Sequence, residues 1–170
     1  MDVSSVSNLP LSVDAFMQEL QTIQATGSKK VAILGSRHLS LTHQQLIEML
    51  AYALVLTGNQ IITSGAGGTN AAVVKGASRA NPGNLLVILP QTISQQTSES
   101  QELLASLPTI REHPERRLLT LSQASAMCNQ EIIENCQQLI CFLYHTSHTL
   151  QEAVRYAQEN HKVVTTFYLD

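Results

Sequence analysis

Short apolar runs alternate with stretches of helical periodicity over most of this chain, and few folds accept that alternation. Lys30–Leu34 is apolar after its first residue and stops at Gly35; Gln60–Thr63, Leu85–Leu89, Gln138–Leu143 and Lys162–Phe167 are runs of the same kind. An uninterrupted apolar run of this length reads as a strand buried on both faces, which is how parallel strands are placed. Between the runs, apolar residues recur three and four apart. Ser40–Thr57 gathers Leu46, Ile47, Leu50, Ala53 and Leu54 on one face, and Gly58 follows where glycine ends helices. Ala71–Ala80, closed by Asn81-Pro82-Gly83, and Ser147–Asn160 read as two further helices. Gln101–Leu107 reads as a short helix, Thr109–Arg111 as a short strand, and Glu115–Cys136 as mostly helical, in one piece or two. The expected fold is α/β: five or so strands in a doubly wound, mostly parallel sheet with helices on both faces.

Two segments lie outside this alternation. Residues 1–10 are polar and serine-rich and are expected to form a flexible tail, leaving 11–170 as a single domain. That domain opens with a helix over Leu11–Thr26, on which Phe16, Leu20 and Ile23 could pack inward or contact a partner. Gln91–Glu99 is polar and reads as a mobile loop.

Composition narrows the function classes. The net charge is −3, whereas a protein that grips nucleic acid through phosphates usually carries a basic excess, so such binding needs a local patch. Lys75, Arg79, Arg111, Arg116 and Arg117 are the residues that could gather into one. Charged residues are only 14% of the chain, which suggests an interface in a homo-oligomer. Cys128, Cys136 and Cys141 form no Cys-x-x-Cys, and His145 near Cys141 makes only one pair, so no metal site is expected. An odd cysteine count without a secretory leader fits a reducing cytoplasm. No apolar run approaches the ~20 residues that span a membrane. No cofactor is expected.

In an open parallel sheet, ligands bind beyond the carboxyl ends of the strands. Three loops fall there. Ser64-Gly-Ala-Gly-Gly-Thr-Asn70 is the most distinctive: glycines let backbone approach a ligand, and the helix that follows directs free N–H groups at an anion. Ser64, Gly65, Gly67, Gly68 and Thr69 are its candidate phosphate-binding residues. The alternative is a tight turn that only lets strand and helix pack. Gly35-Ser36-Arg37 follows an earlier strand, and Arg37 could hold a phosphate through two nitrogens. The third loop, Tyr144–Thr149, offers His145, Ser147, His148 and Thr149, as helix cap or ligand contact. Glu152 is the best-placed carboxylate for acid/base work, because it adjoins that loop. Asp2, Asp14 and Asp170 all lie near the chain ends, which argues against a buried Ser-His-Asp triad.

The order of these stretches resembles the Rossmann-like domain shared by the DNA-processing protein A family of recombination mediators and the lonely-guy-type phosphoribohydrolases. The resemblance runs over about Lys29–Thr166. Gly35-Ser36-Arg37 is similar to the first strand end of the DNA-processing protein A family, and Ser64-Gly65-Ala66 with Gly68 resembles its glycine turn. Asn129 matches the middle of that family's Arg-Asn-Arg, whose flanking arginines are Cys128 and Gln130 here. Thr149 and Glu152 match two positions of the phosphoribohydrolase loop, while that family's catalytic arginine has no counterpart near residues 128–130. The resemblance implies a binder of a nucleotide, another phosphorylated small molecule or single-stranded DNA, without efficient catalysis. Its ligand contacts would be Gly35, Ser36, Arg37, the 64–69 turn, Asn129 and Thr149. The alternatives are a nucleoside 5′-monophosphate phosphoribohydrolase using Glu152 and a non-catalytic scaffold.

Overall fold

The structure is a computed structural model that describes residues 6–10, 12–15, 17–18 and 29–170. Among these residues the sheet has seven strands: β1 (Val6–Pro10), β2 (Lys30–Gly35), β3 (Gln60–Thr63), β4 (Leu85–Ile88), β5 (Ile110–Arg111), β6 (Gln138–Leu143) and β7 (Val163–Tyr168). They lie in the order β1-β7-β6-β2-β3-β4-β5, and every neighbouring pair is parallel. The five helices of residues 29–170 are α1 (Leu41–Leu56), α2 (Thr69–Ala80), α3 (Ser98–Leu104), α4 (Leu121–Glu134) and α5 (His148–Glu159). This is the expected α/β, Rossmann-like architecture.

Both faces of the sheet are sealed, and strand alternation assigns each side chain to a face. Val31 and Ile33 of β2, Ile61 of β3, and Ile140 and Phe142 of β6 pack with Ile47, Leu50 and Leu54 of α1 and Val73 and Ala77 of α2. Ala32 and Leu34, Ile62, and Leu139 and Cys141 pack on the opposite face with Cys128, Ile132 and Ile133 of α4 and Ala153 and Ala157 of α5. Phe142 stacks on Phe167 with ring centroids 5.1 Å apart. Gly76 lets α1 and α2 touch, since a Cβ there would lie 2.0 Å from the Glu48 carbonyl oxygen.

Three expectations are corrected. Residues 6–10 form an edge strand rather than a tail, pairing from Val6 opposite Val164 to Pro10 opposite Tyr168. Such a strand covers the open edge of β7 through backbone bonding, so its polar composition hides it, and Pro10 is tolerated at an edge. Gln91–Glu99 is not one loop: a 3-10 turn occupies Ile93–Gln95, and α3 begins at Ser98 with Thr97 accepting from the Ser100 N–H. α3 thereby starts three residues earlier than expected, and the helix after the glycine turn starts two residues earlier, at Thr69 rather than Ala71. Of the proposed first helix, residues 13–15 and 17–18 are helical, with Val13 and Met17 exposed; Phe16, Leu20 and Ile23 lie outside the described residues.

From β2 the chain steps through β3 and β4 to β5, then returns to lay β6 and β7 on the other side of β2. The loops after β2 and β6 therefore part company at the point where the winding direction reverses. In doubly wound sheets that crevice is where ligands sit.

Candidate functional site

A cleft of about 920 Å³ opens at this switch point. Its first side is backbone-rich. Gly35 approaches α2 so closely that a Cβ would lie 2.4 Å from Thr69 Oγ1 and 2.7 Å from the Phe142 carbonyl oxygen. The Ser36 N–H donates to Phe142 O at 2.9 Å, tying the β2 loop to β6. Thr69, fully buried, donates to Ser36 O both from its backbone N–H (3.0 Å) and from its hydroxyl (2.8 Å). Gly68 stands before α2 at φ 64° and ψ −120°, and a Cβ there would lie 2.4 Å from the Arg37 carbonyl oxygen. Thr63 Oγ1 lies 2.7 Å from Ile33 O and 3.1 Å from Asn70 Oδ1, which fixes the buried Asn70 at the cleft.

The far wall comes from the segment after β4 and from α4. Gln95, Gln96, Thr97, Glu99 and Ser100 line it, with Leu121, Ser122, Ser125, Cys128 and Asn129. Gln91 anchors this wall by donating from Nε2 to Arg116 O and Leu119 O, both at 3.0 Å. α4 is capped by Thr120, which accepts from the Gln123 N–H while Gln123 Oε1 accepts from the Thr120 N–H. Cys128 forms part of the floor: its thiol donates to Ile88 O at 3.2 Å and lies 3.8 Å from Ser64 Oγ. Burial pushes that thiol up to about 11, so it is no ready nucleophile. Thr146 and Ser147 of the β6–α5 loop and the first turn of α5, His148 to Leu150, close the end. Tyr144 steadies the loop by donating from Oη to His38 O at 2.8 Å.

The cleft gathers Gly35, Ser36, Arg37, Ser64, Gly67, Asn129 and Thr149 of the expected site residues. Gly65, Gly68, Thr69 and Glu152 do not line it. Gly65 is buried against Leu89 and Leu104, the first of which a Cβ would meet at 2.4 Å. Gly68 and Thr69 bind the two loops together and are turned away from the opening. Glu152 is exposed on α5 in a separate hollow of about 50 Å³, beside Ala126, Gln130 and Tyr156. It is three residues past Thr149, about 4.5 Å further along the helix from the strand ends. Ser36 reaches the cleft with its hydroxyl already 3.1 Å from the His38 N–H, which it accepts. Sequence reasoning missed the wall from Gln95 to Ser100 and from Leu121 to Ser125. Thr97 and Thr120, each followed by a helix, were the available signals.

Charge is sparse here. Arg37, His38 and His148 are the basic side chains that line the cleft among the described residues, and Glu99 is the carboxylate. None of Lys75, Arg79, Arg111, Arg116 and Arg117 lines it. Arg79 pairs with Glu48 at 2.9 Å and lies over the Tyr52 ring. Arg111 Nη1 is 2.8 Å from Glu131 Oε2, Arg116 Nη2 is 3.6 Å from Glu131 Oε1, and His113 joins Glu115 and Glu131 at 2.6 Å each. Among the described residues no group of three or more His, Cys, Asp or Glu is arranged to hold a metal ion, and no helix is long and apolar enough to cross a membrane.

The helix starts around the cleft differ. α1, α3 and α4 carry side-chain caps from Ser40, Thr97 and Thr120. α2 and α5 have none, although Ser147 stands at the start of α5; its hydroxyl accepts from the Tyr144 N–H instead. The first-turn N–H groups of Asn70, Ala71, Thr149 and Leu150 find no acceptor among the described residues. Uncapped helix starts carry partial positive charge and unmatched donors.

No protein-family profile and no curated protein matches the sequence. Among solved structures, DNA processing protein A from Helicobacter pylori, studied for its single-stranded DNA binding mode, superposes with a TM-score of 0.71 at 19% identity, over 85% of this chain and 67% of that one. At that identity the likeness speaks for the fold: this chain is built on the same Rossmann-like plan as DNA processing protein A.

Proposed function

We propose that the cleft binds the phosphate of a nucleotide or of a single-stranded nucleic-acid segment, and that the protein acts as a binder without efficient catalysis. The observation that carries this reading is the pair of uncapped helices, α2 and α5, whose free N–H groups open on one cleft beside Arg37. The other three α-helices of residues 29–170 are capped by a side chain, which leaves these two starts for a ligand's oxygens. The single-stranded DNA bound by the Helicobacter protein makes a nucleic-acid ligand chemically reasonable for the shared fold. The non-catalytic part of the reading is supported by Glu152, which lies outside the cleft, and by the raised thiol of Cys128.

Thermal unfolding tests it, with nucleoside monophosphates and a single-stranded oligonucleotide added at low and moderate salt. A ligand that binds only the folded chain at a hundred times its Kd adds about 2.7 kcal/mol and raises Tm. Gly67→Leu is the matching variant. A Cβ at Gly67 has nothing within 4 Å, so the fold accepts the side chain while the cleft loses its space. The expected result is a ligand-induced Tm rise in the native chain that disappears in Gly67→Leu at unchanged unliganded Tm. No rise with either ligand removes the reading.

A further inference from the structure

We infer that this cleft accepts a ligand carrying one phosphate and rejects a second, and that Glu99 sets the limit. The inference rests on the phosphate-binding reading above and narrows it. The two sides of the cleft differ in charge. Arg37 and His38 follow β2 and His148 begins α5, on the side where both uncapped helices start. The opposing wall contributes amides and hydroxyls from Gln95, Gln96 and Ser122, together with Glu99, and no cation among the described residues.

Of the arginines in the segment that carries that wall, Glu131 holds Arg111 and Arg116, and Arg117 is exposed without lining the cleft. A second phosphate directed there would lose water against a carboxylate with no compensating positive group, an arrangement that disfavours binding. Sugar hydroxyls and exocyclic amino groups are donors, and a carboxylate with neighbouring amides accepts from them well. Volume is not the barrier, because about 920 Å³ lies at the upper end of the range for small-ligand pockets. Selection is therefore by charge, and it should weaken as salt screens it.

Titration calorimetry on the full chain compares adenosine 5′-monophosphate with adenosine 3′,5′-bisphosphate at low salt. The native protein is expected to bind the monophosphate at least about tenfold more tightly, a difference of about 1.4 kcal/mol. Glu99→Gln keeps the side chain's shape and is expected to bring the two ligands within about threefold, at unchanged Tm. Equal or tighter binding of the bisphosphate by the native chain overturns the inference, as does a preference that Glu99→Gln leaves intact. Gly67→Leu separates the two claims. If the native chain binds both ligands equally and Gly67→Leu abolishes both, the phosphate site stands and the role of Glu99 falls. If the native chain binds neither, both fall.

Discussion

The two sides of the cleft are built by different means. The side made from Gly35–Arg37 and Ser64–Asn70 is assembled from backbone: Gly35 and Gly68 remove Cβ atoms that would collide, and Thr69 clamps Ser36 O twice. The side made from residues 91–129 is assembled from side chains: Gln91 reaches two carbonyls, Gln95 Nε2 donates to Arg117 O, the Ile93 N–H donates to Glu112, and Glu131 gathers Arg111, His113 and Arg116. Backbone assembly leaves N–H groups free at the opening and tolerates little substitution. Side-chain assembly engages Arg111, His113 and Arg116 and leaves a cleft wall whose one charged side chain among the described residues is Glu99. The contrast leaves one end of the crevice lined by Arg37, His38 and His148 and the other by Glu99.

The comparison breaks first, if it breaks, at Gly68. Gly68→Ala places a Cβ against the Arg37 backbone at a φ that side chains rarely adopt. Strain and overlap together are expected to cost about 3 kcal/mol or more. Gly67→Ala, one residue away, should change stability by less than about 0.5 kcal/mol, since its Cβ meets open space. Chemical denaturation of the two variants gives both values, and equal costs would undo the separation between structural and cleft-facing glycines.

A smaller effect is expected at the other side. Glu131→Gln leaves Arg116 and His113, both largely buried, without their shared carboxylate. Arg116 Nη1 is already buried without an acceptor, and the pocket cannot hydrate the freed charge fully. The expected loss is about 2 kcal/mol, less than for a fully buried pair because Arg111 keeps contact with water. A second readout sharpens the point: released arginines should raise oligonucleotide binding and steepen its salt dependence. Unchanged binding would mean that these cations do not reach the cleft even when free.

Thr69→Val is the mildest test. It keeps the volume and the backbone bond to Ser36 O but removes the hydroxyl donor. A loss of about 1 kcal/mol in denaturant stability is expected. No loss would show that the backbone bond alone holds the two loops together.

Much of the backbone-built side was legible in the chain. Gly35 after an apolar run and the Ser64–Asn70 turn before a helix announced close approach and free N–H groups. What misled was the equal treatment of the glycines. Gly65 packs in the core, Gly68 meets the Arg37 backbone and Gly67 faces open space, and nothing in the local sequence separates them. The wall was less legible. Polar residues from Gln91 to Glu99 looked like a solvated loop, but their polarity satisfies backbone groups 20 or more residues away, as Gln91 does for Arg116 and Leu119. Likewise Asn129 and Thr149 were expected to face a ligand, and the tertiary structure brings both to the rim between the cleft and the hollow of Glu152.

The sequence by itself determined the strand–helix alternation, the parallel sheet and the strand-end location of the cleft. Each follows from short-range pattern: doubly buried strands must be apolar throughout, and helices between them must cover both faces. Only the tertiary structure decided which cations are available. Arg79, Arg111 and Arg116 are equivalent in the chain, and each is claimed by a carboxylate from 15 to 31 residues away: Glu48, Glu131 and Glu131. It also decided that Glu152 stands apart while Glu99 faces the opening, because where a charge acts depends on the direction its helix leaves the sheet, and sequence spacing carries no such direction.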